Sequence, residues 1–425
     1  MGEAGKLRVC IDARILSGTL GGVEQFVIGL AHGLSQLRDG DEEYLLLALP
    51  GEDDWLKPYV GGACRLLHGT GATRRPAWAR GLNVPPLARA VARRILSPVV
   101  DRRAADELSL PHSDGTAERA GARLMHFPTQ GAFLTELPSI YHPWDLQHLH
   151  LPQFFTPEAI RARERSYRAY CERASMVAVA SAWHARDVAR HYGLPEGKVR
   201  VVPAAPVLSA YAPPTEGDLR AAREKFLLPE NFIFYPAQTW AHKNHLALLD
   251  ALAHLRDREG LRVPLVSSGK LNDFYPRIEG RARELGLADQ VRFLGFVSTA
   301  ELQSLYRLCR LVVFPTKFEG FGMPLMEAFL AGAPVASSNV TSLPEQAGDA
   351  ALLFDPDDAG EIASAVSRLW TDDALRGALA RRGRARVSLF TYERTARLFR
   401  AHYRRLAARE LSEEDRALLA APPPA

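Results

Sequence analysis

The chain has little cysteine, little lysine beside its arginine and no long apolar run, and each shortage excludes something. Its four cysteines, Cys10, Cys64, Cys171 and Cys309, lie far apart with no C-x-x-C pair among them. Neither a cysteine zinc site nor a disulfide framework is expected, and a reducing cytosol suits the thiols. No stretch approaches the roughly 18 uninterrupted apolar residues of a membrane span, and residues 1 to 8 carry no apolar signal core, so the expectation is a cytoplasmic protein. Charge of one sign is also lacking. Lys and Arg number 53 against 49 Asp and Glu, a net +4, which is too small an excess to argue for nucleic acid. The preference for arginine points to a GC-rich genome rather than to a mechanism.

What is there is a globular composition, 47% apolar and 24% charged over 425 residues. That length accommodates two or three domains, each with its own core. The most informative run is Phe318 to Ala331, FEGFGMPLMEAFLA, which sets Glu319 and Glu327 on either side of a glycine-rich turn. Leu311 to Pro315 before it reads as a buried strand, and Pro324 fits the first turn of a helix, where its missing N–H costs nothing. In a strand, loop, helix arrangement the backbone amides of Gly322, Met323 and Leu325 are expected to face an anion at the helix start. Two carboxylates beside them can each accept hydrogen bonds from vicinal hydroxyls. Phosphate plus diol describes a nucleotide sugar. The plainer alternative is a solvated turn before a surface helix.

Gly332-Ala333-Pro334 ends that helix, Val335 to Ser337 starts a strand and Leu343-Pro344-Glu345 opens the next helix, a βαβα order. Here the chain resembles the retaining nucleotide-sugar glycosyltransferases of GT-B fold, the family-4 group. FEGFGMPLMEA matches that family's E-x7-E motif, and SLPEQAGDAALLFDPDD matches the segment after it. The resemblance spans most of residues 6 to 400 and implies α/β architecture, with two doubly wound Rossmann-like domains facing across a cleft. It also implies that Glu319 holds hydroxyls of the transferred hexose and Glu327 the ribose, with Gly320, Phe321, Gly322 and Met323 completing the donor loop.

Other segments fit the same pattern more loosely. Gly21-Gly22-Val23-Glu24 follows a strand at Lys6 to Ile11 and resembles the family's GGxE turn near the donor phosphate; a plain turn is the alternative. The stretch Gln238 to His245 resembles an R-x4/5-K-N segment with Lys243 as the diphosphate lysine, although Gln238 and Thr239 stand where the arginine belongs. His242 could add charge there, and Trp240 could cover the sugar. Val291 to Val297 resembles the base-binding strand, with Phe296 against the base. His142 to His148 resembles an H-D-L turn, but Trp144 occupies the histidine position, so the acceptor-side group is Asp145, His142 or His148. The HKNH stretch resembles mannosyltransferases of surface-polysaccharide assembly and favours GDP-mannose over a UDP-sugar.

The expected domains are 1–205 on the acceptor side, a polar linker at 206–218, a donor domain at 219–390, a helix at 391–410 crossing back to the first domain, and a tail at 411–425. A basic insert at 70–122 carries eight arginines between 74 and 103, within which Pro86 to Leu96 reads either as an interfacial helix on anionic lipid or as a helix packed on its own domain. Residues 109 to 121 read as a mobile loop. No D-x-D pair sits in a strand-end loop, Asp355 and Asp357 lying in a late surface turn, so metal independence is expected, with a nucleotide sugar as co-substrate and no cofactor. The acceptor would be a glycan or a lipid-linked glycan, at the inner face of the membrane if the insert docks there. A nucleotide-sugar epimerase of the same fold and a non-catalytic nucleotide-sugar-binding protein are the competing readings.

Overall fold

A computed structural model describes residues 5–17, 21–73 and 110–424. The basic segment 74–103 and the helix expected at 86–96 lie outside the described residues. The N-terminal half builds a parallel sheet from β1 (Leu7–Asp12), β2 (Glu42–Ala48), β3 (Cys64–His68), β6 (Leu124–Phe127), β7 (Ser139–Tyr141), β8 (Met176–Val179) and β9 (Val199–Val201). A small antiparallel pair, β4 (Ala72–Thr73) with β5 (His112–Ser113), leads into a short helix at Thr116–Arg119. The segment 109–121, read from its polar composition as a mobile loop, is therefore ordered over 110–121. Asp114 accepts from the Thr116 amide and hydroxyl, and Glu118 accepts from Ser113 and Thr135.

The C-terminal half repeats the plan with β10 (Ile233–Pro236), β11 (Leu265–Ser268), β12 (Val291–Phe293), β13 (Leu311–Phe314), β14 (Val335–Ser338) and β15 (Ala351–Phe354). Strand order is β3-β2-β1-β6-β7-β8-β9 in the first sheet and β12-β11-β10-β13-β14-β15 in the second. In both, the order reverses beside the first strand, between β1 and β6 and between β10 and β13. At such a switch point neighbouring loops leave in opposite directions and open a crevice at the strand carboxyl ends. The strands that flank the second crevice, β10 and β13, are apolar because helices cover both faces; Ile233, Phe234, Tyr235 and Leu311 to Phe314 are fully buried.

The two halves share more than a linker. Residues 204–208 are buried, and Ala204, Ala205 and Val207 belong to the same continuous core as Phe234 and Phe399. The polar linker expected at 206–218 is thus confined to its middle, since the helix Glu216–Phe226 already begins at a capping box formed by Thr215 and Asp218. The helix Tyr392–Leu406 lies on the helix Gly22–Gln36 of the first domain. Phe399 packs against Phe26 and His126, and the Tyr403 hydroxyl is 2.7 Å from His126 Nδ1. Arg400 grips Asp39 with two nitrogens, and Arg404 bridges Glu42 and Asp415 at 2.6 and 2.8 Å. Asp415 belongs to a further helix, Glu413–Ala420, so the segment 411–425 is not simply a tail: Ser412 caps it in a box with Asp415, and the Arg404 pair anchors it.

That crossing requires small residues beneath it. A Cβ at Gly29 would overlap the Tyr392 ring, and one at Gly33 would meet the Tyr392 carbonyl. In an isolated helix Gly33→Ala would gain about 1 kcal/mol. Here we expect the opposite sign, a loss of about 1–3 kcal/mol from overpacking against backbone. Chemical denaturation checks this, and a stability gain would show that the two helices do not depend on this contact.

Candidate active site

Lys243 and Glu319 reach each other across the C-terminal switch point. Lys243 follows β10 and Glu319 follows β13, and Lys243 Nζ donates to Glu319 Oε1. Both side chains are mostly shielded, at 18% and 12% exposed. Each is fixed by its backbone. Asn244 adopts a left-handed φ of 61°, which asparagine tolerates better than most residues, and its side-chain amide donates to the carbonyls of Pro315 and Pro356 at 3.0 and 2.7 Å. Tyr235, at the centre of β10, donates its hydroxyl to the Lys243 carbonyl at 2.6 Å. On the other side the Glu319 amide donates to Thr341 Oγ1, and its carbonyl accepts from Ser342. The KN pair of the motif is thus a charge and its anchor.

The helix Met323–Ala331 starts where Pro324 placed it and ends at Gly332. Its amides are not free, contrary to expectation. Gly322 N donates to Gln346 Oε1 at 2.7 Å, Met323 N to the Phe321 carbonyl and Leu325 N to the Gly322 carbonyl. The Phe321 side chain turns inward against Phe390 and is buried. An anion at this loop therefore has Lys243 rather than the helix start to hold it. For Gly322 the reason lies outside the motif, in a glutamine 24 residues further on, whereas Met323 and Leu325 bond carbonyls of the loop itself.

Glu327 is 8% exposed and accepts from the Tyr306 hydroxyl at 2.8 Å. Burial pushes its carboxyl up from the ordinary 4.5 to about 7, partly offset by that hydrogen bond. Phe296 projects into solvent at 81% exposure. Trp240 is half exposed and donates to Gln238 Oε1 at 3.1 Å. His242 is held neutral at pH 7 by burial and by the neighbouring Lys243, its value pushed down to about 2, so it adds no charge.

The two domains meet directly over this loop. The Trp144 carbonyl lies so close to Gly320 that a Cβ there would overlap it. Trp144 has a φ of 63°, its indole donates to the Pro128 carbonyl at 2.7 Å and its ring stands edge-on to Phe26. Ser181 Oγ donates to the Gly320 carbonyl at 3.0 Å. Glu345 of the second domain then accepts from the amides of Ala182 and Trp183 at 2.6 and 2.9 Å. This carboxylate caps the start of the helix Ala182–Tyr192 in the first domain, where an anion is favoured. Nothing local in the sequence marks Glu345 for that role. Gly21 and Gly22 begin the helix Gly22–Gln36 and face the same gap, Gly21 beside Gln238 of the second domain.

Of the three acceptor-side candidates, two are internal. His142 is buried, with Nε2 2.8 Å from His126 Nε2, and burial with the nearby His184 holds it at about 3 and therefore neutral. His148 is buried and bonded to Glu164 at 2.9 Å. Asp145 is partly open, its oxygens accepting from the Gln147 amide and from Gln130 Nε2 at 3.1 and 3.0 Å. The sequence reading missed Asp12 and Arg14, which flank the first switch point. Arg14 donates two bonds of 2.7 Å to Asp12 and lies over the Phe133 ring. The D-A-R ending of β1 was the available signal.

Two outcomes follow. Glu345→Ala should weaken closure by about 1–2 kcal/mol, because two amides lose a charged acceptor; scattering should show a larger radius of gyration, and hydrogen exchange should rise at 182–183. Folding raises the Glu327 value above its ordinary one, so the associated stability is full below 4.5, is lost as pH rises through about 7, and amounts to about 3 kcal/mol. Glu327→Gln should therefore melt above the parent at alkaline pH, with the advantage fading toward pH ~5, as thermal melts across that range would register.

Residues 220–386 match the family model described as glycosyl transferases group 1. The chain is 29% identical over 254 residues to the O-antigen chain mannosyltransferase B of Escherichia coli, covering 59% of this chain and 65% of that protein. It is 35% identical over 182 residues to the serotype-specific mannosyltransferase WbdA of Escherichia coli, covering 42% of this chain and 22% of the relative. The chain thus spans under two thirds of these curated relatives. Among solved structures, Anabaena HepE in complex with UDP and glucose superposes with a TM-score of 0.67 at 19% identity, over 93% of this chain and 99% of that one. Sucrose-phosphate synthase from Thermosynechococcus elongatus superposes with a TM-score of 0.69 at 22% identity, over 95% and 100%. The fold is GT-B, and the domain that carries Lys243, Glu319 and Glu327 belongs to the glycosyl transferases group 1 family.

Proposed function

We propose that the chain transfers a hexose from a nucleoside-diphosphate sugar to a glycan or lipid-linked glycan, with retention of anomeric configuration and without a metal ion. The observation that carries this reading is the Lys243–Glu319 pair at the second switch point, roofed by Trp144 and Ser181 of the first domain. A buried ion pair beside a closable cleft is poised to exchange partners. An incoming diphosphate can draw Lys243, and Glu319, so released, can accept from hydroxyls of the sugar. Gly21 and Gly22 at their helix start supply amides and a favourable dipole to the same diphosphate. Phe296 offers a face to the base, and Glu327 accepts from the ribose on the side away from Tyr306.

In the transfer step the bond from the anomeric carbon to the diphosphate oxygen breaks, and the acceptor oxygen bonds to that carbon from the same face. The acceptor proton passes to the departing phosphate oxygen. Lys243 and the amides at the helix start balance the charge that grows there. Among the described residues no second carboxylate is placed as a covalent nucleophile, which favours this front-side route, and closure keeps water from the activated sugar. We assign the acceptor side to Asp12 and Arg14, at the carboxyl end of β1, and to Asp145, which follows β7. The mannosyltransferase relatives support mannose as the transferred hexose, and the resemblance carried by the HKNH stretch favours GDP-mannose over a UDP-sugar as its donor. The site of work is the cytoplasm or the inner membrane face; among the described residues no helix is long and apolar enough to cross a membrane.

Incubation with labelled nucleotide sugars and acceptor glycans, with and without EDTA, tests the proposal. Lys243→Ala and Glu319→Ala should each lower turnover by about 10²–10³ while far-UV dichroism and cooperative unfolding are retained, and the product anomer should match the donor by NMR. Unchanged turnover in both variants would refute the assignment. Sugar interconversion without transfer would indicate an epimerase, and donor-induced stabilisation without any product a binding protein.

A further inference from the structure

His150, Asp187 and His191 converge outside every group assigned above. Asp187 Oδ1 lies 2.8 Å from His150 Nε2 and 3.3 Å from His191 Nε2. Ligand atoms of all three lie within 4.8 Å of one another. Asp187 and His191 are one turn apart on the helix Ala182–Tyr192 and so share a face. His150 ends the short helix Gln147–His150 and approaches from the other side. In a tetrahedral zinc site, metal–ligand bonds near 2.0–2.2 Å place neighbouring ligand atoms about 3.3 Å apart. The observed spacings need only small adjustments to reach it.

A second observation points to a cation. The Asp187 side chain is 7% exposed, and its Oδ2 is buried with no hydrogen-bond partner. A buried carboxylate oxygen without a donor is costly unless something positive completes it. The two imidazoles are about one-third exposed, at 32% and 36%, so an ion has a way in and a fourth position stays open. Two imidazoles and one carboxylate suit zinc, nickel or cobalt; magnesium and calcium prefer oxygen throughout.

We propose that His150, Asp187 and His191 bind one divalent transition-metal ion of the zinc class, and that this ion braces the wall on which the donor loop rests. The His150 ring packs against Phe318 with centroids 5.1 Å apart, and Trp183 packs on Phe318 at 5.6 Å. Phe318 precedes Glu319, so fixing His150 stiffens the support of the Lys243–Glu319 pair. The ion takes no part in the transfer, since none of its ligands is among the groups proposed to hold donor.

The full chain, stripped with EDTA, is titrated with zinc by calorimetry and with cobalt by visible absorption. The expected result is one ion per chain at sub-micromolar affinity, with a tetrahedral cobalt band. Asp187→Asn and His191→Gln should each weaken binding at least about tenfold, while His254→Gln, on the far domain, leaves it unchanged. His191 is surface-accessible, so its variant decides the matter even if Asp187→Asn folds poorly. Zinc should also slow hydrogen exchange across 316–320. Absence of stoichiometric binding, or parental affinity in His191→Gln, would overturn the site, and unchanged exchange in the loaded protein would overturn the brace.

Discussion

The arrangement depends on a close approach of backbone to backbone at the mouth of the cleft. Gly320 sits under the Trp144 carbonyl with no room for a side chain. Ser181 donates to the carbonyl of Gly320 itself, and Glu345 reaches from the second domain to the first amides of a helix in the other. These bonds are few, polar and placed at the rim, whereas the apolar continuity runs behind them through Ala204, Val207 and Phe399. A hinge needs that asymmetry. A buried apolar joint carries the domains together, and the smaller clasp is the part that can open.

The clasp and the chemistry share one loop. Between Phe318 and Gly322 the chain presents an aromatic ring to the first domain, a carboxylate to Lys243, a bare backbone to Trp144 and an amide to Gln346. Any ligand that parts Lys243 from Glu319 must therefore act on a loop already pinned at several points. Preorganisation of this kind lets a site stabilise developing charge without reorganising at the moment of reaction. Glu327 shows the opposite environment within the same motif. Buried beside Tyr306, its carboxyl is pushed up to about 7.

How much was legible follows the range of the forces involved. Pro324 at a helix start, Gly332 at its end and the βα order of both halves could be read because caps, turns and apolar periodicity act over a few residues. The Lys243–Glu319 meeting was legible only as two motifs. His142 and His148 looked like loop histidines, and nothing nearby announced that His126 and Glu164 would bury them. The free amide assigned to Gly322 failed for the same reason, since Gln346 supplies an acceptor from another element, while Met323 and Leu325 bond within the loop.

The sequence by itself determined the α/β alternation, the positions of the glycine turns and the chemical kinds of group available at each strand end. These depend on local backbone preference and on burial periodicity, which are properties of short stretches. Tertiary structure alone decided which of those groups face the cleft, which pair with one another and which are sealed away. Partnerships such as Glu345 with Ala182 or Tyr403 with His126 span 163 and 277 residues, and a contact at that separation exists only once the sheets have set the distance between its ends.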